Sequence, residues 1–362
     1  MRILHTESSC GWGGQELRVV ADICASIRRG HSVTLCCDVH SQFVERTDLP
    51  DSVIMRTSIA RKSLRGLLAL HHVMERVDPD IVVTHSSTDS WLAAIIIRLM
   101  YPEVAMIRVR HVDSPIPRNW FTRWLYRQSR MIVTTSEAIR QSVHQATHVA
   151  LETVIAIPTG VDIEKFRPAS RHQRQMARRS LGVNSDRIVV VMIATLRSWK
   201  GHRFVIQALM NCPDMDLMIA GDGPQATALS ELVDHLALHD RVTFLGFQRN
   251  VTGILHAADI FIQPSTGNEG VSQSLLQAMA TGLACIVSAI GRLDEVVNDG
   301  DNGVLVSPGS VEAIEGALCQ LAESPALRQQ LAQRARICAV EQFSLTQMER
   351  AMDAIQTRVS PA

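Results

Sequence analysis

At 362 residues the chain is longer than one hydrophobic core usually serves, which favours two units of ordinary size. Hydrophobic residues make up 46% and charged residues 20%, a globular composition that excludes disorder. Lys+Arg and Asp+Glu both total 36, so no global field draws in nucleic acid or an anionic membrane, and any basic patch is local.

The first residues read as a strand, not as the basic, apolar and cleavable succession of a signal peptide, and the expected location is cytoplasmic. Strand-like runs then alternate with helical patterns: a helix over 17–28, a strand at 32–36, a helix over 64–77, a strand at 81–84, a helix over 91–99 and a strand at 105–109. The apolar stretch 91–100 is bounded by Asp89 and Arg98, well short of the roughly 20 residues that span a bilayer, and reads as a buried helix. A strand at 131–134, a helix from Ser136 and a strand at 154–157 close a first α/β unit. Residues 167–180, rich in Arg, break the rhythm and read as a linker running into a solvated helix.

A second series follows, with strands at 188–194, 215–220, 242–245, 260–263, 285–288 and 303–306, and helices opening at His202, Gln225, Val251 and Ser272. Repeated strand and helix of this kind predict parallel sheets covered on both faces. The expected division is 1–165, 166–344 and a last helix, 345–362, that crosses back to the first domain. The eight cysteines show no CxxC and no Cys/His zinc spacing; they read as reduced core thiols, with no metal and no cofactor called for.

In open α/β sheets ligands sit beyond the carboxyl ends of the strands, so loops at those positions share one crevice. Four such loops occur in order in the second half. Arg197-Ser198-Trp199-Lys200-Gly201 offers a forked and a point-like cation for a diphosphate, or simply a solvated helix start. Gly221-Asp222-Gly223-Pro224 lets backbone approach a ligand, and equally serves an ordinary turn. A strand ending at Gly246 could read a nucleobase edge with its main chain. Glu269-Gly270-Val271-Ser272-Gln273-Ser274 places a carboxylate at a helix start whose free amides suit phosphate, although such a carboxylate also meets the helix dipole favourably.

Taken together these motifs resemble those of family 4 retaining glycosyltransferases, with the GT-B fold of two Rossmann-like doubly wound domains facing across a cleft. The resemblance runs over essentially the whole chain and includes the segment 157–166 and the strand motif 300–306. It implies that Arg197 and Lys200 hold the donor diphosphate, that Glu269 binds hydroxyls of the transferred sugar, and that Gly221, Gly223 and the backbone of Gly270, Val271, Ser272 and Gln273 serve donor binding. In the first domain, Gly13 and Gly14 resemble the family's glycine loop facing the donor phosphate and the acceptor, which implies donor binding, and His111 its cleft histidine near the transferred sugar, with His85 a weaker candidate. His111 and Glu269 then act by positioning and electrostatics, without a covalent intermediate.

Two positions depart from the family pattern. Gln277 stands where a second glutamate grips the ribose; it keeps an acceptor and loses the charge. Gly291-Arg292 stands where Gly-Gly is common. The implied function is transfer of a sugar from a nucleotide-diphosphate-sugar to a growing bacterial surface glycan or lipid-linked acceptor. Residues 118–130, with four arginines among Trp120, Trp124 and Tyr126, suit contact with an inner-membrane surface or form an ordinary amphipathic helix. A nucleotide-sugar 2-epimerase and a non-catalytic donor-binding protein are the alternative readings.

Overall fold

The structure is a computed structural model that describes residues 1–112, 114–183, 186–267, 269–291 and 293–360. Asn268, which precedes Glu269, and Arg292, within the Gly291-Arg292 departure noted above, lie outside the described residues. The chain divides into two compact units, Met1–Thr159 with Thr346–Ala362, and Gly160–Leu345.

The first unit runs β1 (Arg2–Glu7), α1 (Gly14–Arg28), β2 (Ser32–Asp38), α2 (Phe43–Arg46), β3 (Ile54–Thr57), α3 (Leu64–Val77), β4 (Ile81–Thr84), α4 (Ser87–Met100), β5 (Ala105–Arg110), α5 (Trp120–Arg127), β6 (Met131–Thr134), α6 (Glu137–Thr147) and β7 (Val154–Ala156). The second runs α7 (Arg171–Ser180), β8 (Ile188–Ile193), α8 (His202–Ala208), β9 (Met215–Ala220), α9 (Ala226–His235), β10 (Val242–Gly246), α10 (Thr252–Ala257), β11 (Ile260–Gln263), α11 (Gln273–Thr281), β12 (Ala284–Ser288), β13 (Val304–Val306), α12 (Val311–Glu323) and α13 (Pro325–Gln342); α14 (Leu345–Val359) follows.

Each unit is a doubly wound parallel sheet. The strand orders are β3-β2-β1-β4-β5-β6-β7 and β10-β9-β8-β11-β12-β13, so both wind outward from their first strand and then reverse. The reversal leaves a crevice between β1 and β4 in one sheet and between β8 and β11 in the other, the positions where such sheets bind ligands. Central strands are buried on both faces, as Ile81–Thr84 and Ile260–Gln263 show along their whole length. In β8, Val189 and Val191 join the apolar cluster on one face while Val190 and Met192 join that on the other, the two-residue alternation of a strand. Serine caps start the helices repeatedly: Ser63, Ser136, Ser170, Ser272 and Ser310 each accept from a backbone amide three residues on.

Three features differ from the sequence reading. The edge strand β3, four residues with exposed Arg56, carries too short a pattern to announce itself. The arginines of α7 are not all solvated: Arg174 and Arg178 both bind the Asp259 carboxylate, and they donate to the carbonyls of Ala258 and Ala257 at 2.8 and 3.0 Å, which fastens α7 to the start of β11. Of the eight cysteines, Cys36, Cys37, Cys212 and Cys285 are buried, whereas Cys10, Cys24, Cys319 and Cys338 are partly exposed. Among the described residues no helix is long and apolar enough to cross a membrane.

Candidate active site

In the second unit, the loops after β8 and β11 flank the point where strand order reverses. Lys200, from the first loop, donates to both carboxylate oxygens of Glu269, from the second, at 2.7 and 2.9 Å. Ser265 donates to the same carboxylate at 2.6 Å. With side chains only 19% and 10% exposed, Lys200 and Glu269 are a largely desolvated pair, in which loss of either partner leaves a charge uncompensated.

Close backbone packing builds these loops. A Cβ on Gly221 would stand 1.9 Å from the Ala194 carbonyl oxygen, and one on Gly223 2.7 Å from that of Leu196, so the turn after β9 lies directly on the loop after β8. Gly291 similarly leaves room for the backbone of Glu269, which a Cβ there would meet at 2.5 Å.

Glu269 leads into α11. Ser272 caps that helix by accepting from Leu275 N–H and shares a 3.1 Å hydrogen bond with the Ser274 hydroxyl. Gly270 and Val271 are half-buried in the lead-in, Gln273 donates its side-chain amide to the Gly160 carbonyl at 2.9 Å, and Gln277 is half-buried two turns along. The first turn of α11 thus presents amide groups beside the Lys200–Glu269 pair, an arrangement suited to anionic oxygens and to sugar hydroxyls at once. Arg197 is exposed and lies over the Trp199 ring at 5.2 Å, apart from that ion pair.

In the first unit, Gly13 caps and Gly14 opens α1 after β1. His111, which follows β5, is buried and hydrogen-bonds through Nε2 to His85 Nδ1 at 3.0 Å, and His85 Nε2 meets His5 Nδ1 at 2.9 Å. Burial holds all three imidazoles neutral, with His5 and His111 lowered to about 3 and His85 well below its ordinary value; the Arg18 charge adds to the effect at His85 and His111. Glu7, at the end of β1, is buried and pushed up to about 8, first by desolvation and then by the Asp89 charge. It accepts from Gln15 at 2.5 Å and from Ser86. Asp89 is raised to about 6 by burial while accepting from the His85 and Ser86 amides at 3.0 and 2.9 Å.

Sequence reasoning did not single out His5, Glu7, Asp89 or Gln263. Gln263 ends β11 buried, with neither side-chain amide atom partnered. Glu7 and Gln263 carried a signal, a polar residue closing a strand, whereas His5 lies inside β1 and Asp89 in the first turn of α4.

Two family models match the chain, Glycosyltransferase Family 4 over residues 12–165 and Glycosyl transferases group 1 over residues 173–337. The chain belongs to glycosyltransferase family 4. It is a glycosyltransferase, and the two doubly wound units are those of the family's GT-B fold. N-acetyl-alpha-D-glucosaminyl L-malate synthase of Bacillus anthracis is 27% identical over 281 residues, 75% of this chain and 72% of the relative. UDP-Gal:alpha-D-GlcNAc-diphosphoundecaprenol alpha-1,3-galactosyltransferase of Escherichia coli is 26% identical over 281 residues, 74% and 72% of the two chains. The crystal structure of Anabaena Alr3699/HepE in complex with UDP and glucose has the same fold, with a TM-score of 0.84 at 21% identity over 99% of this chain and 100% of that one.

Proposed function

We propose that this glycosyltransferase takes its sugar from a nucleoside diphosphate donor bound by the second unit and passes it, with retention of anomeric configuration, to a lipid-linked or growing surface glycan bound by the first. The observation that carries this reading is the desolvated Lys200–Glu269 pair beside the first turn of α11 at the strand-order reversal. Lys200 neutralises the charge that develops on the departing diphosphate, with Arg197 reaching it from the exposed side, and the α11 amides take phosphate oxygens. Glu269, paired with Lys200 and fixed by Ser265, accepts from hydroxyls of the transferred sugar and sets its orientation. Gly221 and Gly223 let the main chain close on the donor, and Gln277 takes the ribose with a neutral amide. His111, Gly13 and Gly14 serve the sugar and acceptor side.

Two of the compared proteins support the donor and acceptor classes. The Anabaena protein was crystallised with UDP and glucose, and the Escherichia coli enzyme is named for a UDP-sugar donor and a diphosphoundecaprenol-linked acceptor. A lipid-linked acceptor fits an enzyme working in the cytoplasm at the inner face of the membrane. The surface of the first unit supports that contact: Trp120 and Phe121 are 69% and 63% exposed beside Arg118 and Arg123, and Leu64 and Leu68 of α3 are 72% and 61% exposed beside Arg61 and Arg65. Lys62 over Trp91 and Trp91 against Trp124 join the two patches.

The test is thermal unfolding against UDP-, GDP- and ADP-sugars, since a ligand held only by the native state raises the midpoint, followed by transfer assays with the ligand that binds. No shift with any donor removes the donor site. A β-linked product from an α-configured donor overturns retention, and an epimerised donor formed without acceptor overturns transfer in favour of isomerisation.

A further inference from the structure

Three histidines, His5 in β1, His85 just past β4 and His111 just past β5, stand in a row. His5 and His85 have ring centroids 5.2 Å apart with planes 11° from parallel, and His85 and His111 have centroids 5.3 Å apart at 28°. Their ring nitrogens meet at 2.9 and 3.0 Å, so the rings join edge to edge through hydrogen bonds and do not lie face on face. They form a line and do not converge, and among the described residues no group of three or more His, Cys, Asp or Glu could hold a metal ion. The two outer nitrogens, His5 Nε2 and His111 Nδ1, are buried and unpartnered.

A neutral imidazole carries one ring hydrogen, on one of its two nitrogens. His85 uses both nitrogens in the row, so it donates to one neighbour and accepts from the other. Only two arrangements satisfy both contacts: all three rings protonated at Nε2, or all three at Nδ1. The first leaves His111 Nδ1 as a lone pair, and the second makes it an N–H.

The charges around the row choose between them. Arg18 is fully buried, paired with Asp22 at 3.1 Å, and has its Nη2 unpartnered. Its Nη1 donates to the carbonyls of Ile157 and Pro158 at 3.2 Å, just past β7, which puts the guanidinium toward the β5 side of the sheet, the His111 end of the row; in keeping with this its charge acts on His85 and His111, whereas at His5 burial is the cause of the shift. A positive charge nearer the His111 end favours hydrogens displaced toward the His5 end. Asp89 binds the His85 backbone amide and the Thr6 hydroxyl, not a ring nitrogen, and Glu7 is occupied by Ser9, Gln15 and Ser86, so neither carboxylate takes a ring hydrogen.

We propose that His5 and His85 are positioning residues that lock His111 in its Nε2–H form, so that Nδ1 is its one free ring atom and serves to accept a hydrogen bond from a hydroxyl of the acceptor substrate bound by the first unit. This rests on the role given to His111 above. It goes further by naming the atom, its hydrogen-bonding sense and the two residues that set both.

Nitrogen-15 NMR of the full chain with labelled histidine reads the tautomers directly and needs no substrate. The expected result is three neutral Nε2–H rings at pH 7; Nδ1–H rings, or a mixture of the two forms at His111, overturn the proposal. His85→Phe breaks the row: His111 should then show both tautomers, and kcat should fall about tenfold with the donor KM within about twofold. His85→Gln, which can donate and accept at once, should recover most of that loss. Because His85→Phe could disturb folding, His5→Phe, at the far end of the row, provides the second break; a His111 tautomer unmoved by both overturns the proposal. If His111→Phe transfers sugar at the parental rate while the NMR result holds, the role given to His111 fails and the locked tautomer stands.

Discussion

The two sheets share one winding order, yet their reversal points are built in opposite ways. In the second unit the crevice between β8 and β11 is charged: Lys200 and Glu269 face each other as ions, with Ser265 completing the carboxylate's partners. In the first unit the crevice between β1 and β4 is desolvated and holds mostly neutral groups: three histidines are held neutral and Glu7 is pushed toward its protonated form, with Asp89, raised only to about 6, the exception. A departing diphosphate needs fixed positive charge and amide donors, whereas hydroxyl groups are held by neutral acceptors that do not compete for protons. One topology thus provides two solvents.

The sharpest way to break this contrast is to remove the ions. Lys200→Ala and Glu269→Ala should each lower kcat for sugar transfer by about 10²–10³, the usual cost of losing one electrostatic partner of a developing charge. If both variants transfer at the parental rate, the ion pair is structural and the donor site lies elsewhere. Asp259→Asn, which takes the carboxylate from Arg174 and Arg178 away from the crevice, should lower stability by about 2–4 kcal/mol in denaturant unfolding and leave donor affinity unchanged.

The pH dependence of stability tests the neutral crevice. His5 and His111 titrate at about 3 in the native state against 6.5 ordinarily, so their contribution, with that of His85, is complete above pH 6.5 and is lost as pH falls through 6.5 toward 3. Glu7 and Asp89 act in the other direction: raised to about 8 and about 6, they contribute fully below their unfolded values of 4.5 and 3.8 and lose that contribution as pH rises through those windows. Three histidines outweigh two carboxylates on the acid side, and Glu7 alone acts above pH 6.5. Calorimetry should therefore find the transition of the first unit highest near pH 6–7, lower by roughly 5 °C at pH 5, and falling gently toward pH 8. His5→Phe should flatten the acid limb. The smallest expected effect is at Gln277: restoring a carboxylate with Gln277→Glu should tighten donor binding by roughly threefold to tenfold, read by calorimetric titration.

The winding of both sheets was legible in the sequence because parallel strands are buried on both faces and read as unbroken apolar runs between helical patterns. Lys200 and Glu269, 69 positions apart, were each recognisable as the polar residue in a loop after such a run, although nothing in their spacing says that they touch. The histidine row was harder to see. His111 and His85 follow strands and drew notice, but His5 lies inside β1 with every residue from Ile3 to Glu7 buried, where a run of consecutive side chains looks like plain core. Only the strand order, which sets β4 beside β1 and β5 beside β4, brings the three rings into line. The buried partners of α7 were hidden for the same reason: Asp259 is 81 positions from Arg178.

The last helix has a consequence for how the protein is made. Ser26, Arg28 and Arg29 of the first unit meet Gln356, Glu349 and Asp353 of α14, so this unit is assembled from both sides of the sequence that forms the second. On the ribosome, Gly160–Leu345 emerges and can fold while α1 still shows the face that α14 will cover. The first unit, although synthesised first, is the last to be finished.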